Sequence, residues 1–84
     1  MSVQVRYFAA ARDAAGCAEE AWSAPDEADT TVGEIVARLV ERHGEPLSAV
    51  LDRCSFLVDG RRSAPEAVVP SGAVVDVLPP FAGG

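Results

Sequence analysis

The sequence predicts an α+β domain, a sheet with one principal helix on a single face. Three features predict it. A β-branched and aromatic segment, Val3-Gln4-Val5-Arg6-Tyr7-Phe8, opens the chain; a capped amphipathic helix occupies its middle; and a valine-rich strand runs into Pro79-Pro80. Eighty-four residues make one domain. A chain of this length buries only a little over ~60% of its unfolded surface, so modest stability is expected. Hydrophobic residues make up 49% of it and charged residues 24%, enough for a real core and contrary to disorder.

In the first strand Val3, Val5 and Tyr7 share one face, and Gln4, Arg6 and Phe8 share the other. Residues 9–15 are alanine-rich and read as a short helix with Gly16 at C′. Residues 18–24, around Trp22, form a weaker second strand, followed by Pro25 and an acidic loop to Asp29. Thr31-Val32-Gly33-Glu34 is a capping box, in which the threonine accepts from the N3 amide while Glu34 reaches back. The helix that follows runs to about His43, with Val32, Ile35, Val36, Leu39 and Val40 in one apolar stripe and Gly44 at C′. Pro46 opens another short helical turn, with Leu47, Val50 and Leu51 at helical spacing. Residues 55–58 form a third strand, Asp59-Gly60 is a type I′ hairpin signal, and Pro70-Ser71-Gly72 is a second turn. Residues 74–78 make the last strand, which Pro79 and Pro80 stop because neither offers a ladder N–H.

Composition excludes several functions. The two cysteines and one histidine cannot by themselves supply a four-ligand zinc or iron–sulfur site. The net charge of −6 disfavours binding to nucleic acid and instead suits steering toward basic partner surfaces. No apolar run is long enough to span a bilayer, and the first residues lack a signal-peptide h-region, so no membrane association and a cytoplasmic location are expected. In that compartment Cys17 and Cys54 are expected to be thiols. All seven basic residues are arginines, which composition bias accounts for; a chain with an activated acyl terminus also gains by lacking nucleophilic side-chain amines.

The distinctive segment is the ending Pro79-Pro80-Phe81-Ala82-Gly83-Gly84. Six residues beyond the last strand can reach up to about 20 Å. Two prolines stiffen the base of this tail, while two glycines give a thin tip able to thread a narrow channel. A stiff base with a slender tip suits a terminus that enters another protein's active site. The group at its end is the Gly84 carboxylate, ionised at neutral pH and a poor electrophile until one oxygen becomes a leaving group. Adenylation by an ATP-using partner, followed by attack of a sulfur nucleophile, would yield a thiocarboxylate able to pass sulfur on. The chain has no phosphate loop and no convincing catalytic constellation, so the activating chemistry must belong to a partner.

The first strand with Ala9-Ala10-Ala11-Arg12, the capped helix, and the stretch from Gly72 through Val74-Val75-Asp76-Val77-Leu78 to Gly83-Gly84 resemble the MoaD/ThiS family. Within it they are most similar to the molybdopterin synthase small-subunit branch. The resemblance covers essentially the whole chain and departs at Ala73, where the family's acidic residue is missing. It implies a ubiquitin-like β-grasp: a mixed sheet of four to five strands, one main helix on one face and short extra helices. Residues 1–78 would form this domain and residues 79–84 a flexible tail. It also implies a non-catalytic sulfur carrier. An E1-like adenylyltransferase of the MoeB type would activate Gly84 with ATP, and a sulfur donor protein would load it. A MoaE-type large synthase subunit would then accept the sulfur for molybdopterin. No cofactor would be held stably. In this scheme Gly84 carries the chemistry, Gly83 and Ala82 thread the partner's channel, Phe81 seats the tail, and Pro80 and Pro79 form its base. The alternatives are a carrier for thiamin thiazole or cysteine biosynthesis, a ubiquitin-like protein modifier, and an interaction module that never uses Gly84.

Strand alternation supplies the remaining candidates. If Val75 and Val77 face the helix, Val74 and Leu78 face the open side with Phe8, an apolar docking patch beside the tail. Other conspicuous residues have simpler readings. His43 complements the helix dipole, Cys54 and Trp22 belong to the core, Cys17 is exposed and unreactive, and Arg61-Arg62 is a solvated pair.

Overall fold

The computed structural model describes residues 2–23 and 29–80. The chain runs β1 (Ser2–Tyr7), α1 (Ala9–Ala15), β2 (Glu19–Ser23), β3 (Thr30–Thr31), α2 (Val32–His43) and α3 (Glu45–Leu51). It then continues through β4 (Ser55–Val58), β5 (Arg61–Arg62), β6 (Val68–Val69) and β7 (Val74–Leu78). Five strands form one mixed sheet in the order β2-β1-β7-β4-β5. The two longer central strands, β1 and β7, are parallel; every other pairing in this sheet is antiparallel.

Local chemistry sets these boundaries. Gly16 ends α1 in the left-handed conformation at φ 79°, as expected of a C′ glycine. Thr31 caps α2 by accepting from the Glu34 amide at 3.2 Å. The other half of the expected capping box differs: the Glu34 carboxylate accepts from the buried Thr30 hydroxyl at 3.0 Å. That contact arises because Thr30 and Thr31 pair with Val69 and Val68 in a second, two-stranded sheet, which strand patterning did not reveal. Two-residue strands carry too little alternation to register as a pattern. Asp59 and Gly60 both have positive φ, 49° and 84°, in keeping with the type I′ turn read from the sequence. The turn at residues 70–73 closes although residue 73 is alanine, through Gly72 N–H to Ser2 O and Ala73 N–H to Pro70 O.

The core lies between α2 and one face of the sheet. Val3, Val5 and Tyr7 of β1, Trp22 of β2, and Val75 and Val77 of β7 meet Ile35 and Leu39 of α2 and Leu47 and Leu51 of α3. Each fully buried aliphatic side chain in such a core contributes roughly 1.5–3 kcal/mol. Trp22 is core, as expected. Cys17, expected to be exposed, is half-buried against the core and beside Glu20, because the turn after α1 folds it back over β2. The expected acidic loop (residues 25–29) lies largely outside the described residues. Among the described residues no helix is long and apolar enough to cross a membrane.

Candidate functional site

Because side chains alternate across strands, burying Val75 and Val77 puts Val74, Asp76 and Leu78 on the opposite, open face. Val74 and Leu78 are half-buried there, and Phe8 is 37% exposed. Tyr7 pairs with Val77, so Phe8 and Leu78 stand side by side one step further along, where β7 runs into Pro79. Val74 lies at the other end of β7, in register with Gln4. The structure thus brings two of the three expected patch residues together and places the third some four residues away.

Phe8 is held by its backbone. Its N–H donates to Val77 O at 3.2 Å and its carbonyl accepts from Ala11 N–H at 3.0 Å. The next residue, Ala9, has φ 50°, a left-handed conformation that costs an alanine roughly 1–2 kcal/mol. This sharp exit from β1 starts α1 immediately and leaves the Phe8 ring on the open face beside the base of the tail. Pro79 is buried and Pro80 exposed. Both line a shallow groove of about 370 Å³ with Ala10 of α1, Ala49 and Val50 of α3, and Arg53. Phe81, Ala82, Gly83 and Gly84 lie outside the described residues.

Two polar clusters escaped the sequence reading. On the open face Arg6 binds Asp76 through two hydrogen bonds, Nε to Oδ1 at 2.5 Å and Nη2 to Oδ2 at 2.8 Å. Asp76 keeps only 7% exposure. The Arg6 guanidinium also lies 5.9 Å from the centroid of the Phe8 ring. Parity could have found this pair, since Arg6 and Asp76 are the charged residues on the open faces of the first and last strands. On the core side, Glu20 of β2 accepts from the Tyr7 hydroxyl at 2.7 Å, from Arg42, and from the ring Nε2 of His43. His43 also meets Tyr7 edge-on, with ring centroids 6.1 Å apart. His43, read as a dipole-complementing cation, therefore ties the end of α2 to β1 and β2. Burial would raise the Glu20 pKa, but hydrogen bonds from Tyr7, Arg42 and His43 prevail and hold it below the usual carboxylate value.

Neither thiol is activated. Burial pushes the Cys54 thiol up to about 11, and Cys17 is raised by burial and by Glu20. Cys54 donates to Val50 O at 3.2 Å, as a helix-end core residue does. Among the described residues no cluster of histidine, cysteine and carboxylates has metal-binding geometry.

The ThiS family model matches residues 5–84, from within β1 through the glycine ending. The chain belongs to the ThiS family. It is 29% identical to the molybdopterin synthase sulfur carrier subunit of Chlamydomonas reinhardtii, with both chains covered in full. Its fold superimposes on a Pyrococcus furiosus protein assigned as molybdopterin converting factor subunit 1, with TM-score 0.81 and 29% identity over 96% of this chain and 99% of that one. It matches SAMP1 of Haloferax volcanii, a small archaeal modifier protein, equally well: TM-score 0.81 and 27% identity over 100% of both chains. The architecture of this ThiS-family chain is thus the ubiquitin-like β-grasp that the resemblance implied, with five strands in its main sheet and α2 across one face.

Proposed function

We propose that the chain is a sulfur carrier, the small subunit of a molybdopterin synthase, and that it works through the carboxylate of Gly84. The observation that carries this reading is the junction at Leu78. The last strand ends there, and the sequence continues directly into Pro79-Pro80-Phe81-Ala82-Gly83-Gly84 within a chain that aligns end to end with a named molybdopterin synthase sulfur carrier subunit. In this reading a carboxylate oxygen of Gly84 attacks the α-phosphorus of ATP in an E1-like, MoeB-type partner and displaces pyrophosphate. Hydrosulfide delivered by a donor protein then attacks the acyl carbon and displaces AMP, leaving a thiocarboxylate after loss of the sulfur's proton. The tail next enters a MoaE-type large subunit. Gly83 and Ala82 thread its channel, Phe81 seats the tail, and the surface of Phe8, Leu78 and Val74 rests against the partner. The thiocarboxylate sulfur attacks an oxygen-bearing carbon of the pterin precursor, whose oxygen leaves as water. A water then hydrolyses the acyl–sulfur bond, so that the sulfur stays on the precursor and Gly84 returns as a carboxylate. The carrier is a co-substrate rather than a catalyst, holds no cofactor of its own, and works in the cytoplasm, where ATP is at hand. Residues 79–84 are its working tail and residues 1–78 the domain that presents it.

Reconstitution with activating enzyme, ATP, sulfur donor and large subunit tests this. Deleting Gly83-Gly84 should abolish dithiolene formation while the circular dichroism spectrum stays unchanged; unchanged product formation would refute it.

The likeness to SAMP1 favours one second reading, a ubiquitin-like modifier joined to target amines through Gly84. Denaturing gels of the tagged chain from cells would then show covalent ladders that disappear with the Gly83-Gly84 deletion. Carriers for thiamin thiazole or cysteine share the same terminal chemistry, and product analysis in the reconstituted system separates them.

A further inference from the structure

Register places five residues in one row across the open face, Glu19 of β2, Arg6 of β1, Asp76 of β7, Leu57 of β4 and Arg62 of β5. This row lies directly below Phe8 and Leu78, on the side away from the tail. The chain carries thirteen acidic and seven basic residues, yet this row holds two of each. This row is therefore neutral in sum, an alternating line of charge beside the apolar pair Phe8 and Leu78.

The Arg6–Asp76 pair at its centre is poorly explained as a source of stability. With the Arg6 side chain half exposed, solvent screening keeps the contribution of such a pair small. The geometry instead fixes what Arg6 displays. Bidentate pairing and the Phe8 ring lock the guanidinium in orientation. Asp76 takes up Nε and Nη2, and among the described residues Nη1 makes no hydrogen bond. With 48% of the Arg6 side chain exposed, that edge is open to an approaching protein.

We infer that Arg6, oriented by Asp76, is a specificity-determining residue for the protein that receives the tail, and that this partner presents a carboxylate over the guanidinium. The inference rests on the sulfur-carrier reading, in which a receiving protein must lie against Phe8 and Leu78, and it adds the chemistry that such a protein needs. A uniformly apolar partner would leave the outward edge of Arg6 desolvated and unpaired, which selects against it. A partner carboxylate there completes a charge-assisted triad of Asp76, Arg6 and acceptor.

The test measures affinity for the MoaE-type large subunit of the same organism, with wild type and three variants. Arg6→Leu with Asp76→Ala removes the pair without stranding a charge. Arg6→Asp with Asp76→Arg keeps the internal pair but turns a carboxylate outward. Leu78→Asp alone reports on the surface as a whole. Thermal unfolding confirms folding of each, and either paired variant suffices if the other fails to fold. The apolar pair should bind roughly tenfold or more weakly than wild type, and the reversed pair more weakly still. Wild-type affinity in a folded paired variant, with Leu78→Asp impaired, overturns the inference and leaves the carrier reading standing. Absence of binding by wild type overturns both. Self-association of wild type that Leu78→Asp abolishes would assign the face to a second copy and also overturn the inference.

Discussion

The Tyr7 hydroxyl donates to the Glu20 carboxylate at 2.7 Å, and Arg42 and His43 of α2 converge on the same carboxylate. One side chain of β2 thus joins the first strand to the end of the main helix, and only 15% of it is exposed. Replacing it with alanine leaves a buried phenol unpaired, so Glu20→Ala is expected to cost roughly 2–4 kcal/mol. In a domain of this size that lowers Tm by about 10 °C or more. Differential scanning calorimetry measures it, and a shift of a degree or two would show that the cluster is incidental.

The same carboxylate sets an acid limb. Its folded pKa lies below the unfolded value, so its stabilisation is complete above about pH 4.3 and is lost as pH falls through the folded value. Wild type and Glu20→Gln should therefore differ in Tm near neutrality and converge on acidification. Thermal melts across a pH series check the convergence; a gap that widens toward low pH would mean that the folded Glu20 pKa lies above the unfolded one.

Leu78 sits on the open face beside Phe8, away from the core formed by Val75 and Val77. Leu78→Asp should leave Tm within a few degrees yet weaken binding to the large subunit roughly tenfold or more. An unfolded variant would mean that Leu78 supports the core.

Gly33 lies in the first turn of α2, where alanine would ordinarily add about 1 kcal/mol of helix propensity. A Cβ there would meet the Pro65 carbonyl oxygen at 3.3 Å, and that oxygen already accepts from the Gly33 N–H at 2.9 Å. The carbonyl cannot retreat without lengthening its own hydrogen bond. Gly33→Ala should give no stabilisation and a small loss; a clear rise in Tm would show that the loop before β6 yields easily.

Cys54, its thiol pushed up to about 11, should react with iodoacetamide at pH 8 more than roughly tenfold more slowly in the native protein than in denaturant. Equal rates would place it in water.

The main elements were legible because each carries a local signal. Val3, Val5 and Tyr7 alternate, Thr31 and Glu34 mark the start of α2, Asp59-Gly60 marks a hairpin, and Pro79 ends β7. Less legible was whatever depends on pairing across distance. Thr30–Thr31 and Val68–Val69 make a sheet where the start of α2 bonds the segment before β6, Val32 N–H to Ala67 O and Gly33 N–H to Pro65 O. Glu20, Tyr7, Arg42 and His43 are separated by up to 36 positions, and no local rule joins them. Arg6 and Asp76 lie 70 residues apart but shared a face by parity, so that pair was within reach. At the candidate site the Phe8–Leu78 patch followed from alternation, whereas its spacing from Val74 and the charged row needed the register. The tail was read from sequence alone, and residues 81–84 stay with that reading.

The central claim concerns Gly84, and intact mass spectrometry of the chain isolated with its native C-terminus tests it most directly. The account predicts a population in which one oxygen has been exchanged for sulfur, enriched by activating enzyme, ATP and sulfur donor, and missing when Gly83-Gly84 is deleted. A mass that never changes under those conditions would contradict it.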